Sequence, residues 1–155
     1  MGVLPKAAEK AGAAGADVAE SRSQKYTGTC VCGAVSYTAK ALSPLWYCHC
    51  WQCRHMTGHF MAASQVKLSD LEIAGEPKWY YVSEKSRHGF CADCGSQMFW
   101  RNDDNDYLSV TGGSIEDTKE LVVQGHVFTK EKAHYYTLPE TEIQFPRYWY
   151  EKGNT

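Results

Sequence analysis

Near its start the chain carries the sequence Gly28-Thr29-Cys30-Val31-Cys32-Gly33-Ala34-Val35-Ser36-Tyr37, in which two cysteines lie just before a run of β-forming residues. Cys91 and Cys94 repeat this arrangement, followed by Gly95 and by the β-forming residues 97–100. A glycine directly after the last cysteine lets the backbone fold back, so that N–H groups can point at sulfur. We therefore expect the two pairs to hold one structural zinc ion in a closed site of four thiolates, Cys30, Cys32, Cys91 and Cys94.

The middle cysteines form a different pattern, C-x-C-x-x-C, made of Cys48, Cys50 and Cys53. Arg54 and His55 follow the last of them, where the other two clusters have a glycine. Structural zinc sites use four protein ligands, whereas catalytic sites use three and keep one position for water or substrate. The middle cluster therefore predicts a second zinc ion that is catalytic and open to a ligand.

The cysteine pattern also allows other assignments. A histidine could complete the middle site as its fourth ligand, and the candidates are His49, His55, His59, His88 and His126. Three cysteines spaced C-x-C-x-x-C can also hold an iron–sulfur cluster together with a distant thiol. Neighbouring thiolates oxidise readily, so the middle cluster could instead sense redox state or metal. Disulfides within one cluster are disfavoured, because closely spaced cysteines meet the geometry of a bridge poorly.

The number of cysteines and the start of the chain indicate the cellular setting. There are seven cysteines, and an odd number leaves one thiol outside any full set of disulfides. The first 25 residues are rich in alanine, glycine, lysine and glutamate and lack the continuous apolar segment of a secretion signal. We therefore expect a cytoplasmic protein whose reduced cysteines bind metal.

Length and charge limit the number of domains and the kinds of partner. The 155 residues are typical of one domain. We expect a flexible tail at 1–24, a zinc-binding domain at 25–150 and a short tail at 151–155. The net charge of −2 is too small to imply a nucleic acid or an acidic membrane as a partner, and we expect neither. No apolar run approaches the roughly 20 residues that span a bilayer.

Short runs of β-forming residues follow one another from about Lys25 onward. Strands are expected at 35–39, 60–66, 78–82, 97–100, 107–111 and 122–128, with the polar residues 102–106 as a turn. A single helical turn could follow Asp117. These runs predict a mainly β protein.

The cysteine clusters lie within three longer motifs: residues 28–37 as quoted above, Cys48-His49-Cys50-Trp51-Gln52-Cys53-Arg54, and Phe90-Cys91-Ala92-Asp93-Cys94-Gly95-Ser96-Gln97-Met98-Phe99. Two weaker motifs are Gly113-Ser114-Ile115-Glu116-Asp117 and Gly125-His126-Val127-Phe128. In this order, the motifs resemble the family of glutathione-dependent formaldehyde-activating enzymes, which also includes centromere protein V-like proteins. The resemblance covers residues 28–128, and three cysteine clusters in this order are highly specific for the family.

The resemblance implies an Mss4-like fold, which is a β-tent of antiparallel sheets with a structural zinc ion. It also implies the division of ligands given above, with Cys48, Cys50 and Cys53 at the catalytic zinc. The implied activity is that of a carbon–sulfur lyase similar to S-(hydroxymethyl)glutathione synthase. In that reaction the thiol of glutathione attacks formaldehyde.

Three thiolates around one zinc ion suit the activation of a thiol better than strong Lewis-acid catalysis. We expect the open site to bind a small thiol such as glutathione, lower its pKa and hold it for reaction with an aldehyde. Arg54 could pair with a carboxylate of glutathione, Trp51 could form a wall of the pocket, and His126 could carry a proton. Each also has a plain structural reading, as a solvated charge, a packed ring or a buried histidine.

The alternative function is a non-catalytic, zinc-stabilised protein-interaction module. In that case, replacement of the middle cysteines would harm folding as much as replacement of Cys91 and Cys94. Both functions are compatible with a monomer or a homodimer.

Overall fold

The structure is a computed structural model that describes residues 25–148. The tails predicted at 1–24 and 151–155 lie outside the described residues. No helix within the described range is long and apolar enough to cross a membrane.

The described residues form ten β-strands, one α-helix and three short 3₁₀-helices. The strands are β1 (Tyr26–Thr29), β2 (Ser36–Ala39), β3 (Leu45–Cys48), β4 (Met61–Lys67), β5 (Leu71–Ala74), β6 (Lys78–Tyr81), β7 (Ser86–Phe90), β8 (Gln97–Asn102), β9 (Tyr107–Thr111) and β10 (Val123–Val127). The α-helix, α1, is Trp51–Thr57, and the 3₁₀-helices are Leu68–Asp70, Gly112–Ser114 and Thr129–Glu131. Strands dominate, which confirms the mainly β class.

The strands make two sheets. The smaller sheet contains β1, β2 and β5, which are antiparallel. The larger sheet has the order β10-β3-β4-β9-β8-β7-β6. Its neighbours are antiparallel except β10 and β3, which run parallel. The expected arrangement of antiparallel sheets therefore includes one parallel pair, and this pair contains Cys48, the first cysteine of the middle cluster.

Alternation of side chains along β8 and β9 gives the larger sheet two different faces. Phe99 pairs with Val110, and Trp100 pairs with Ser109, in the antiparallel register of these strands. Phe99 and Val110 are fully buried in the core, whereas Trp100 and Ser109 line a cleft. Successive side chains of a strand point to opposite faces, so one face of the sheet covers the core and the other lines the cleft.

One buried cluster joins the two sheets. It includes Tyr37 of β2 and Phe99 of β8, whose rings meet edge to face with their centroids 5.6 Å apart. Cys30 and Cys91 belong to the same cluster. A metal ion held by their sulfurs would therefore supplement an apolar core rather than replace it.

All six predicted strands are present. β9 has the predicted limits, and the others differ by one or two residues at an end. The sequence patterns do not predict β1, β3, β5 and β7. These strands have four or five residues each, and so few residues show little alternation.

The helical prediction is wrong in position. Asp117 is followed by a turn, closed by a hydrogen bond of 3.1 Å from the N–H of Leu121 to the carbonyl of Thr118. The α-helix of the described residues, α1, begins inside the middle cysteine cluster instead. Its N-cap is Cys50, whose Sγ accepts a hydrogen bond from the N–H of Cys53 at 3.4 Å. Cysteine is not one of the usual N-cap residues, so no capping signal marks this helix in the sequence.

Candidate metal centre

The seven cysteines form two groups in space, and none of them is in a disulfide bond. The four-cysteine group contains Cys30, Cys32, Cys91 and Cys94, and the three-cysteine group contains Cys48, Cys50 and Cys53. Within each group the sulfur atoms lie within 4.8 Å of one another. The structure therefore brings the cysteines together in the division expected from their spacing, and each group could hold a metal ion.

The four-cysteine group joins two tight turns. Gly33 and Gly95 follow the last cysteine of each turn with φ angles of 79° and 74°, which are left-handed conformations that favour glycine. Each glycine N–H donates to the carbonyl of the first cysteine in its turn, to Cys30 at 3.1 Å and to Cys91 at 2.9 Å. After the first turn, the N–H of Val35 donates to Cys30 Sγ at 3.2 Å. The glycines thus reverse the chain, and a backbone N–H points at sulfur as expected.

The distances between sulfurs in the four-cysteine group suit one tetrahedral zinc ion. Cys32 Sγ lies 3.5 Å from Cys30 Sγ and 3.6 Å from Cys91 Sγ. A tetrahedron with Zn–S bonds of about 2.3 Å separates its sulfurs by about 3.8 Å. Ser96 links the two turns, because its hydroxyl lies 3.2 Å from Cys94 Sγ and accepts a hydrogen bond from a backbone N–H of the first turn. The donor set and its spacing fit zinc.

The three-cysteine group lies where β3 ends and α1 begins. Cys48 is the last residue of β3, Cys50 is the N-cap of α1, and Cys53 lies in its first turn. A strand end and one helical turn therefore place the three sulfurs together, with no glycine turn after the last ligand. Gly58, at φ 78°, ends the helix one turn later.

The thiols of the three-cysteine group share their protons unequally. Hydrogen bonds from Cys48 and Cys53 lower the pKa of Cys50. Hydrogen bonding to Cys50 raises the pKa of Cys48 to about 12, and hydrogen bonding to Cys48 raises the pKa of Cys53. Metals bind the thiolate form. A metal ion that binds here must therefore displace protons, and its affinity falls as the pH is lowered.

No fourth protein ligand joins the three-cysteine group within residues 25–148. The histidines proposed as the closing ligand all lie in this range, and none brings a ring nitrogen into the group: His49, His55, His59, His88 and His126. The other four cysteines form their own group, so none of them supplies the distant thiol of an iron–sulfur cluster. A tetrahedral ion held by the three cysteines would have one position left for a ligand from solution.

A cleft of about 470 Å³ opens beside the three-cysteine group, and all three of its residues line it. Five aromatic side chains form much of the wall: Trp46, Trp51, Trp100, Phe128 and Tyr148. Neutral polar side chains, including Gln65, Asn102 and Ser109, complete it. Small-molecule sites commonly have this size and mixture of apolar and polar groups. The cleft can therefore place a small organic molecule next to the sulfurs.

The chain that follows β10 closes one side of the cleft. Val127 pairs with Cys48 in the parallel register. Phe128 then takes a left-handed backbone conformation, with φ 58°, which is unusual for a bulky residue. It leads into the 3₁₀-helix that contains Glu131. The Glu131 carboxylate accepts a hydrogen bond from the N–H of Trp51 at 2.8 Å, which satisfies a donor at the start of α1.

A hydrogen-bond chain, here called the histidine chain, links the buried His49 and His126 to the half-buried Tyr136 and the exposed Glu142. His49 Nδ1 lies 2.5 Å from the Tyr136 hydroxyl, and His49 Nε2 lies 2.8 Å from His126 Nδ1. His126 Nε2 in turn contacts the Glu142 carboxylate. Burial, and then the neighbouring His126, lowers the pKa of His49 to about 4, so His49 is neutral at pH 7. The histidine chain thus connects His49, which lies between Cys48 and Cys50 in the sequence, to Tyr136 and Glu142 near the end of the described range.

The histidine chain lies on the face opposite the cleft. His49 follows Cys48, and His126 precedes Val127, and both Cys48 and Val127 line the cleft. Neighbouring side chains on a strand point to opposite faces. Consistent with this, both histidines are buried and neither lines the cleft.

The three residues predicted to bind substrate lie in different places. Trp51 lines the cleft and is 59% exposed. Arg54 does not line the cleft; its Nε is buried without a hydrogen-bond partner within the described residues, and its charge acts on Tyr136 of the histidine chain. His126 is held within that chain. Trp51 alone of the three lines the cleft, and a direct role in substrate binding stays a prediction for all of them.

Sequence reasoning missed Glu131, Trp100, Phe128 and Tyr148 as residues of the site. Glu131 is 80 residues from its hydrogen-bond partner, and nothing near it in the sequence marks the contact. The cleft forms only when the order of the strands is known. The short motif Gly125-His126-Val127-Phe128 was the one signal that pointed to this side of the cleft.

Comparison with known proteins is consistent with these observations. The model of a family described as glutathione-dependent formaldehyde-activating enzyme matches residues 25–131. A crystal structure of a Rhodobacter sphaeroides protein is similar at 26% sequence identity and a TM-score of 0.50, over 63% of this chain and 98% of that chain. No curated protein matches the chain. The family match includes both cysteine groups and extends to Glu131.

Proposed function

Because this chain belongs to the family of glutathione-dependent formaldehyde-activating enzymes, we propose that it is a zinc-dependent carbon–sulfur lyase or synthase. It joins a small thiol to formaldehyde, or breaks a related adduct, in the cleft beside the three-cysteine group. The four-cysteine group would hold a structural zinc ion, and Cys48, Cys50 and Cys53 would hold the catalytic one. The family name suggests glutathione as the thiol.

One observation carries this proposal: the three-cysteine group opens onto a cleft of about 470 Å³ and has no fourth protein ligand within residues 25–148. A purely structural metal site is closed by four protein ligands. The four-cysteine group shows this arrangement in the same molecule. The difference favours a role in chemistry for the three-cysteine group.

The reaction has few parts. The sulfur of the thiol attacks the carbon of formaldehyde, a carbon–sulfur bond forms, and the proton of the thiol ends on the former carbonyl oxygen. The product is an S-hydroxymethyl adduct, no other reagent is consumed, and the reverse reaction releases formaldehyde. A zinc ion bound to the three cysteines would lower the pKa of a thiol that joins it, so that thiolate is available at neutral pH.

The residues of the cleft would position the reactants. The rings of Trp46, Trp51 and Trp100 line it and can pack against the substituent of the thiol while they exclude water. The side chains of Gln65 and Asn102 also line it and can donate hydrogen bonds to the oxygen of the aldehyde. Holding two reactants in one orientation converts a bimolecular reaction into an effectively unimolecular one.

The test measures loss of formaldehyde in the presence of the zinc-loaded protein and a thiol, compared with the spontaneous reaction. We use 2-mercaptoethanol and glutathione in parallel, and we expect a rate at least about tenfold above background with one or both. The Cys50→Ser variant should hold one zinc ion less per chain and lose this gain. A protein with two zinc ions per chain that gives no gain with either thiol would refute the proposal.

A further inference from the structure

The charge of the cleft restricts the thiols that can enter it. Apart from the cysteines, Glu131 is the only charged side chain among the described residues that line the cleft, and no lysine or arginine is among them. Three thiolates also carry one negative charge more than a divalent zinc ion neutralises. Among the described lining residues, a carboxylate on the ligand would therefore meet two negative groups and no cation, and like-charge contacts of this kind oppose binding.

Three basic side chains, Lys85, Arg87 and Arg101, form ion pairs away from the cleft. Arg87 Nη1 and Arg101 Nε both contact the Asp103 carboxylate, at 2.5 and 3.1 Å. Lys85 Nζ lies 2.9 Å from the Asp104 carboxylate. None of these side chains lines the cleft, and neither does Arg54. Glutathione has two carboxylates, and the described lining residues offer a cationic partner to neither.

The aromatic wall favours a different kind of substituent. Five rings surround the space beside the sulfurs. Aromatic faces attract cations through their quadrupole and also pack against apolar groups. An exposed carboxylate in the same wall, Glu131, adds attraction for a cation.

We infer that the thiol used by this protein carries no carboxylate, and that Glu131 selects thiols with a cationic or apolar substituent over anionic ones such as glutathione. This inference rests on the proposed function, because it names the substrate class of the same site. Glu131 acts on the substituent of the thiol and not on its sulfur, so it is a specificity residue rather than a catalytic one.

The first experiment measures binding of three thiols of similar size that differ in charge: 2-aminoethanethiol (cationic), 2-mercaptoethanol (neutral) and mercaptoacetate (anionic). Each is titrated into the zinc-loaded protein without formaldehyde. Tryptophan fluorescence reports occupancy of the cleft, because three tryptophans line it, and calorimetry provides an independent affinity. We expect affinity to fall from the cation to the neutral thiol to the anion, with about a tenfold difference between the first and the last.

The second experiment separates the charge of Glu131 from the acidity of the thiols themselves. The Glu131→Gln variant keeps an oxygen that can accept the hydrogen bond from Trp51 but removes the charge. The ratio of cation to anion affinity should fall at least about threefold. The acidity of each thiol is the same in the titration of the unchanged protein and in that of the variant. It therefore cancels when the two affinity ratios are compared. Glu76→Gln, at an exposed position that does not line the cleft, is the matched control and should leave the ratio unchanged.

The outcomes distinguish the two proposals. Mercaptoacetate binding as tightly as 2-aminoethanethiol, or an unchanged ratio in Glu131→Gln, would overturn the inference while leaving thiol activation in place. If no thiol binds to the fully zinc-loaded protein, the proposed function fails, and the inference that depends on it fails as well.

Discussion

The two cysteine groups offer the same kind of ligand in different surroundings. The four-cysteine group lies between two glycine turns, and two of its members, Cys30 and Cys91, are buried in the core. The three-cysteine group lies between a strand and a helix and opens onto a cleft. Thiolate chemistry alone therefore does not decide what a site does.

The number of ligands and the space beside them make the difference. Four cysteines fill the coordination of a tetrahedral ion and leave it nothing to bind, so the binding free energy goes into stability. Three cysteines leave one position, and the aromatic cleft determines which molecule can take it. We therefore expect substitutions in the four-cysteine group to lower mainly the stability of the fold. Substitutions in the three-cysteine group should weaken mainly the binding of the ligand.

The largest expected effect comes from replacing a cysteine of each group by serine. We expect Cys91→Ser to fail to fold, because structural zinc binding contributes roughly 10–16 kcal/mol in zinc-finger peptides, whereas whole domains are stable by about 5–15 kcal/mol. We expect Cys50→Ser to stay folded and to lose only about 1–3 kcal/mol, since serine can replace the thiol as N-cap of α1. Thermal unfolding followed by circular dichroism, with zinc content per chain, measures both.

This pair of variants also separates the two functions considered. If Cys50→Ser unfolds as completely as Cys91→Ser, both groups are structural, and the chain is a zinc-stabilised interaction module. The outcome expected for an enzyme is a folded Cys50→Ser protein with one zinc ion fewer.

The next effect concerns the support behind the three-cysteine group. Tyr136→Phe removes the hydroxyl that hydrogen-bonds His49 and leaves a buried ring nitrogen without its partner. We expect a loss of about 1–3 kcal/mol in stability, together with easier removal of zinc from the three-cysteine group, because His49 lies between two of its ligands. Unfolding by urea and competition with a chelator measure the two effects.

Tyr135→Phe is the matched control for this variant. Its hydroxyl donates to the carbonyl of Gly58 at 3.2 Å, but the side chain is 66% exposed, so its loss should change stability by less than about 0.5 kcal/mol. Equal effects of the two substitutions would show that the histidine chain does not support the metal ligands.

The division of the cysteines could be predicted because it depends on short-range features. Within each motif one or two residues separate neighbouring ligands, and Gly33 and Gly95 mark the turns that lie outside the cleft. Strands such as β9 could be predicted because β-forming residues are concentrated in them. These features need no knowledge of how the strands are ordered.

The cleft could not be predicted because it depends on that order. β10 lies beside β3 in parallel, and this pairing brings Phe128 and Glu131 to residues about 80 positions earlier in the chain. Arg54 shows a second reason: it is next to Cys53 in sequence, but each residue of a helix is rotated by about 100° from the one before. Neighbours in the sequence therefore face different surroundings.

The smallest expected effect tests the glycine turns that only the four-cysteine group has. A Cβ at Gly95 would meet no atom within 4 Å, so Gly95→Ala costs only the left-handed backbone conformation at φ 74°, about 1 kcal/mol. Stability measured by urea unfolding should fall by that amount, while thiol affinity in the cleft stays the same. Gly113→Ala is the control, because a Cβ there also meets no atom and the backbone is not left-handed. A loss of thiol affinity in Gly95→Ala would show that the two groups are coupled, and the separation of stability from chemistry would then be wrong.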